Sequence, residues 1–279
     1  MIKNYLKIAW RNLIKNKASS IINIGGLAVG MAVAMLIGLW IWDELSFNKY
    51  HQNYDHIAQV MQKKTFNGTV STGVATSLPL ETEIRKSYGS DFKHIAVTFW
   101  TGDHVLIVGD KKISYPGTYV GEELPEMISL KMLKGTRNGL KEPSSMLISQ
   151  SVAKAVFGNT DPIGKSVNYD NQGSLLVSGV YQDLPTSSTF HDLAFMAPWD
   201  YFVTTQNWLK RAATDWGEDS FQIYVQIADH ADMAGVSAKI KDIKLKNGGP
   251  VEAKMKPQIF LQPMSKWHLY AEFKNGVNT

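Results

Sequence analysis

The chain has 279 residues, with 29 Lys and Arg against 25 Asp and Glu and no cysteine, which excludes disulfides, thiolate metal sites and thiol nucleophiles. Its net charge of +4 suggests an anionic partner until it is mapped: five basic residues fall in the first 20 positions, leaving 24 to face all 25 acidic ones. With no basic excess beyond position 20 and no Lys/Arg cluster interleaved with aromatics, the sequence argues against nucleic acid as a partner.

Residues 1–20 read as a cytoplasmic amphipathic basic segment. Leu6, Ala9, Trp10, Leu13 and Ile14 recur at helical spacing, while Lys3, Lys7, Arg11 and Lys15, joined by Lys17, form a basic face suited to the inner leaflet of a lipid bilayer. The plainer alternative is a flank that only sets orientation. Residues 21–42 follow without a charge, and a helix of that length spans about 33 Å, enough for a hydrocarbon core of about 30 Å. The run ends Leu39-Trp40-Ile41-Trp42-Asp43-Glu44 with no small-x-small cleavage site, which favours an anchor over a cleaved signal peptide. Trp40 and Trp42 sit where an interfacial aromatic belt belongs. Basic residues before the span and acidic ones directly after it put the N-terminus in the cytoplasm and the rest outside. Within the span Gly26, Gly30, Ala34 and Gly38 recur every four residues, a stripe of small side chains on which another membrane helix can pack.

Beyond the span, residues 57–62 alternate like a half-buried strand, 80–88 read as a helix ending at Gly89, and 95–100 as a second strand, a βαβ-like unit. From Val105 the texture turns to short strands and tight turns: 105–108, a turn at Gly109-Asp110, 112–115 and 175–180. Ser149 is placed to cap a short helix that runs to Phe157 and stops at Gly158. A third texture begins with the alternating strand 221–227, continues as a helix over about 231–246 and closes with a strand near 259–261. The first and third textures match each other better than either matches the middle. The expected fold is therefore α+β: one transmembrane helix, then an outer domain over 43–279. In it an α/β subdomain (about 43–102 and 206–273) carries an inserted β-rich subdomain (about 103–205).

Motifs for chemistry are scarce. Gly158-Asn159-Thr160-Asp161-Pro162-Ile163-Gly164-Lys165-Ser166 resembles a phosphate-binding loop, but it has five residues between its glycines, a helix before it and a strand after it, the reverse of what such a loop needs. It reads as a turn. The seven histidines are scattered, and His51 and His56 are five apart, which on a helix separates their faces. Glu122-Glu123 reads as solvated loop. No nucleophile elbow or zinc-protease motif occurs, so neither a catalytic residue, a metal ligand nor a cofactor site is assigned, and the chain is not expected to be an enzyme.

One set of segments goes further. Leu147-Ile148-Ser149-Gln150-Ser151-Val152-Ala153-Lys154-Ala155-Val156-Phe157-Gly158, then Asp161-Pro162-Ile163-Gly164-Lys165, then Val177-Ser178-Gly179-Val180-Tyr181-Gln182-Asp183-Leu184-Pro185 resemble the periplasmic core domain of MacB/FtsX-family ABC transporter permeases. The opening Tyr5-Leu6-Lys7-Ile8-Ala9-Trp10-Arg11-Asn12-Leu13 and Asp43-Glu44-Leu45-Ser46-Phe47-Asn48 are similar to the Bacteroidetes type. The resemblance implies a permease subunit in the bacterial inner membrane, with an α/β porter-like subdomain and a β-rich insertion outside. It also implies a cytoplasmic ABC ATPase subunit, a permease dimer partner and a periplasmic or outer-membrane partner. On that reading the sequence is an N-terminal part of a longer permease, stopping near where a second membrane helix is due. The alternative is a single-pass membrane-anchored periplasmic sensor or ligand-binding module.

Overall fold

The structure, a computed structural model, describes residues 2–279 and divides into two compact units after Ser46. The first consists of helices α1 (Ile2–Lys15) and α2 (Lys17–Ser46). Helix α2 extends past the uncharged run at both ends, because the cations before it and the carboxylates after it continue helical hydrogen bonding without interruption. By length and composition it can cross a membrane, and at 30 residues it is about 45 Å long.

The second unit is built on a sheet whose central strand comes from late in the chain. Strands β1 (Ile57–Phe66) and β2 (Phe92–Thr98) are joined by helix α3 (Leu78–Tyr88). The unit continues with β3 (Gly102–Val108), β4 (Lys111–Val120), β5 (Ser145–Ser149), α4 (Gln150–Phe157), β6 (Ser166–Tyr169), β7 (Gly173–Tyr181) and β8 (Phe195–Pro198). Then come β9 (Asp219–Ile227), α5 (Met233–Ile240), α6 (Ile243–Asn247) and β10 (Gln258–Pro263).

The main strand path runs β8-β5-β7-β6-β3-β4-β2-β9-β1-β10. Strand β9 is antiparallel to both β1 and β2, and β1 is antiparallel to both β9 and β10. Each helical connection thus joins two parallel strands with a third between them, the split βαβ arrangement of ferredoxin-like sheets. Strand β9 alternates in sequence, yet both of its faces are covered. Ile223, Val225 and Ile227 meet Leu80, Ile84, Val236 and Ile240 of the helices, while Tyr224 meets Ile57, Leu124 and Phe190 on the opposite side.

The strands between β2 and β9 form a barrel. Besides their neighbours along the path, β4 and β8 pair in parallel, with Phe195 opposite Gly117, so β3, β4, β8, β5, β7 and β6 close into a ring. Its interior is filled by Leu106, Tyr119, Ile148, Tyr169, Val177 and Phe195, all buried. The ring pairs with the α/β sheet in register at Thr98 and Val120, flanked by backbone bonds from Phe99 N–H to the Tyr119 carbonyl (3.0 Å) and from Gly121 N–H to the Val97 carbonyl (2.8 Å). Closure removes sheet edges that would otherwise be open to other strands. The remaining edge, β10, is capped from the same chain: Ile259 N–H donates to the Lys241 carbonyl (2.8 Å) and Leu261 N–H to Ser237 Oγ (3.0 Å). That cap explains why the segment expected as one helix over 231–246 is two: the break after Ile240 frees the Lys241 carbonyl and turns Ile243 and Lys244 into the core.

Helix α4 has the ends its sequence specifies. Ser149 Oγ accepts from Val152 N–H (3.3 Å), and Gly158 takes a positive φ of 62° at the other end. The glycine-rich segment after it is a turn: Gly164 N–H donates to the Val177 carbonyl (2.8 Å) and the Lys165 carbonyl accepts from Val177 N–H (3.0 Å). Its backbone is engaged in sheet pairing.

The barrel seam depends on Gly117, where a Cβ would lie 2.3 Å from the Phe195 ring. Gly117→Ala is expected to destabilise the outer unit by about 1–3 kcal/mol, read as a lower urea midpoint. The double variant Gly117→Ala/Phe195→Leu should cost less than the sum of its single changes, since the clash exists only with the ring present.

Candidate functional site

The residues selected from sequence in the first unit are all solvent-facing. No residue of α1 is buried, so Lys3, Lys7, Arg11 and Lys15 and the apolar residues between them both lie open, as does Lys17 at the start of α2. A Cβ added at Gly26, Gly30 or Gly38 would meet nothing within 4 Å, and Ala34 is likewise exposed. Trp40 and Trp42 are 63% and 74% exposed. The stripe and the basic face have the accessibility that helix packing and lipid contact require, and no described side chain covers them.

The second unit begins with a feature that sequence reasoning missed. Its first residues, directly after α2, are fastened by polar groups to loops more than 70 positions away. Asn48, 1% exposed and at φ 64°, exchanges side-chain bonds with Thr189: Nδ2 donates to Thr189 Oγ1 (2.9 Å) and Oδ1 accepts from Thr189 N–H (2.7 Å). Its own N–H donates to the Ser187 carbonyl (2.7 Å). Asn tolerates this left-handed backbone better than most residues, which is the local reason it stands here.

His51 is also 1% exposed, with Nδ1 2.7 Å from the Ile128 carbonyl and Nε2 2.8 Å from Ser188 Oγ. Because a carbonyl only accepts, Nδ1 carries the proton and Nε2 accepts from the serine hydroxyl, whose oxygen accepts in turn from Phe190 N–H (3.1 Å). This is a fully paired neutral imidazole, and burial pushes its pKa below the ordinary 6.5 despite the opposing carbonyl bond. Asn53 Nδ2 adds a bond to the Met127 carbonyl (3.0 Å), and the Phe47 ring stacks on His268 with centroids 3.9 Å apart. The clamp reaches the central strand through aromatic contacts: His51 on Phe190 at 5.7 Å, and Phe190 on Tyr224 of β9 at 5.2 Å.

A second polar knot lies where the α/β sheet passes into the barrel. Glu123, expected as solvated loop, accepts from Arg85 Nη1 (2.7 Å), His94 Nδ1 (3.1 Å) and Ile95 N–H (3.2 Å). Arg85 also reaches Glu81 (2.9 Å) and the Ile95 carbonyl (2.7 Å). The neighbouring Glu122 is exposed, so one residue of the doublet is solvated and the other is structural. Lys244 is fully buried and pairs with Asp219, which also takes Lys64; burial lowers the Lys244 pKa. Among the described residues no three His, Asp or Glu side chains converge as metal ligands, and His51 and His56 do not act together. No local signal exposes the clamp, because the partners of Asn48, His51 and Asn53 lie 74 to 141 positions away.

A family model described as MacB-like periplasmic core domain matches residues 20–243. Among solved structures, the chain is similar to a domain of a protein described as a permease from Porphyromonas gingivalis (TM-score 0.61, 18% identity, covering 76% of this chain and 91% of that one). It is also similar to the periplasmic region of MacB from Actinobacillus actinomycetemcomitans (TM-score 0.53, 18% identity, 78% and 95% covered). A third likeness is the extracellular domain of the noncanonic ABC-type transporter YknZ from Gram-positive bacteria (TM-score 0.51, 14% identity, 73% and 99% covered). At these identities the structures establish the fold. No curated protein sequence matches the chain closely enough to count as a relative.

The clamp carries a pH signature. A histidine whose folded pKa lies below its unfolded value of 6.5 contributes stability in full above pH 6.5 and loses it as the pH falls toward the folded value. The unfolding free energy of the wild type should therefore fall below about pH 6.5 more steeply than that of His51→Gln, by up to about 1.4 kcal/mol per pH unit. The difference between the two urea titrations at pH 8, 6.5 and 5.5 measures this term. At pH 8 His51→Gln should be the less stable by about 1–3 kcal/mol.

Proposed function

Because the chain belongs to the family of MacB-like periplasmic core domains, we propose that it is the N-terminal part of an ABC transporter permease subunit. In this reading its outer domain couples the motion of a cytoplasmic ATPase to export or to periplasmic partners. The observation that carries it is the clamp: the residues that follow the apolar helix are fixed to the outer domain by buried, directional bonds and not by a slack linker. Force delivered along α2 would enter the sheet at Asn48 and His51, close to the central strand. The open stripe Gly26, Gly30, Ala34 and Gly38 supports packing against further membrane helices or a second permease subunit. The basic face of α1 supports an inner-leaflet position with the N-terminus in the cytoplasm and the outer domain in the periplasm. In this reading the role is mechanical.

The test starts from the native locus. A tag on the chromosomal protein should co-purify an ABC ATPase from mild detergent, and the reading frame should continue past codon 279 into further apolar spans. Within that complex Gly30→Ile should weaken subunit assembly, while Asn48→Ala should let ATP hydrolysis continue but abolish most export. A stop codon after Thr279 with no associated ATPase overturns the proposal.

A further inference from the structure

One end of the barrel is open and lined by aromatic rings. The cavity there holds about 420 Å³, the size of a small-molecule site. Phe99, Trp100, Tyr119, Phe202 and Trp208 contribute to its wall, with Tyr119 stacked on Phe202 at 4.2 Å and Phe99 tilted against Phe202 at 4.9 Å. Tyr119 and Phe202 belong to the buried packing of the barrel, whereas Phe99 and Trp208 at its mouth are partly exposed and Trp100 is exposed.

The polar groups in this wall point one way. Asp170 is the one carboxylate that lines the cavity, and neither Lys nor Arg lines it. Asp170 is held in place by Val105 N–H (2.7 Å on Oδ1) and by His104 Nδ1 (2.6 Å on Oδ2), with the Tyr169 hydroxyl also 2.6 Å from Nδ1. The cavity therefore presents a carboxylate and aromatic ring faces, both of which are electron-rich. A guest anion would face the Asp170 carboxylate with no Lys or Arg to offset it.

We propose that the barrel mouth is a binding site for a small organic cation, an ammonium group carried on an apolar body. The ammonium would sit against the rings near Asp170 and His104, and the apolar body would cover Trp100, which is 43% exposed. The site stands independently of the transport reading: it can serve cargo or a regulator equally.

The test uses the full chain in lipid nanodiscs, labelled with fluorotryptophan, and follows binding by ¹⁹F resonances and calorimetry. The probes are phenethylammonium, its trimethylated form and 3-phenylpropanoate, an anion of similar size and shape. Both cations should bind saturably and at least about tenfold more tightly than the anion, with shifts confined to Trp100 and Trp208. Asp170→Asn should weaken the cations about tenfold without altering 3-phenylpropanoate, whereas Asp110→Asn, in the exposed turn after β3, should leave all three unchanged. Should Asp170→Asn unfold the barrel, Trp100→Leu serves in its place, since its indole holds only the Ser220 carbonyl; it too must weaken the cations. Equal affinity for the anion, wild-type affinity in both variants, or the lack of saturable binding at millimolar concentrations overturns the proposal.

Discussion

The hydrogen-bonding position of β9 constrains everything around it. It lies between β1 and β2, both of which precede it by more than 100 residues, and its six-residue register with β2 and its pairing with β1 give the sheet its centre. A strand inserted late between two early ones requires the intervening chain to leave the sheet and return to the same place. The barrel meets that requirement by being closed: its strands satisfy one another's backbone groups, so the insertion needs little from the sheet beyond the junction of Thr98 with Val120. Tyr224 and the Ile223/Val225/Ile227 face then knit the two sides of the sheet into separate cores.

Much of this was legible because it is local. A charge-free run flanked by opposite charges announces α2, alternation announces β1 and β9, and a serine cap with a terminal glycine announces α4. The α+β class and the porter-like domain with its β-rich insertion were readable from textures together with the family resemblance. Closure of the barrel was not, since it rests on Phe195 facing Gly117 across 78 positions, a pairing that neither residue's neighbours encode. The break between α5 and α6 was hidden for a related reason: Lys244 looks like one more surface cation on an amphipathic helix until Asp219 and Gln62 are brought beneath it.

The same limit governs the polar groups. His51 and Glu123 were weighed as a metal candidate and a solvated carboxylate, and both are structural, with partners drawn from Ile128, Ser188, Arg85 and His94. Residue type and spacing reveal chemistry whose ligands are close in sequence. They are silent on groups whose only role is to join distant loops, because nothing local distinguishes a histidine that binds a loop from one in solvent.

The polar clamp that opens the second unit suits the coupling role proposed above. Apolar contacts are non-directional and let neighbours slide at little cost, so a greasy joint would absorb a displacement of the helix. Buried hydrogen bonds are lost steeply with distance and angle, and an unpaired buried group is costly, so Asn48, His51 and Asn53 either hold one geometry or break together. The clamp's aromatic continuation through Phe190 to Tyr224 is close-packed and transmits strain without a second polar joint. A tethered binding module would gain little from such a junction, whereas the coupling role proposed above would call for one.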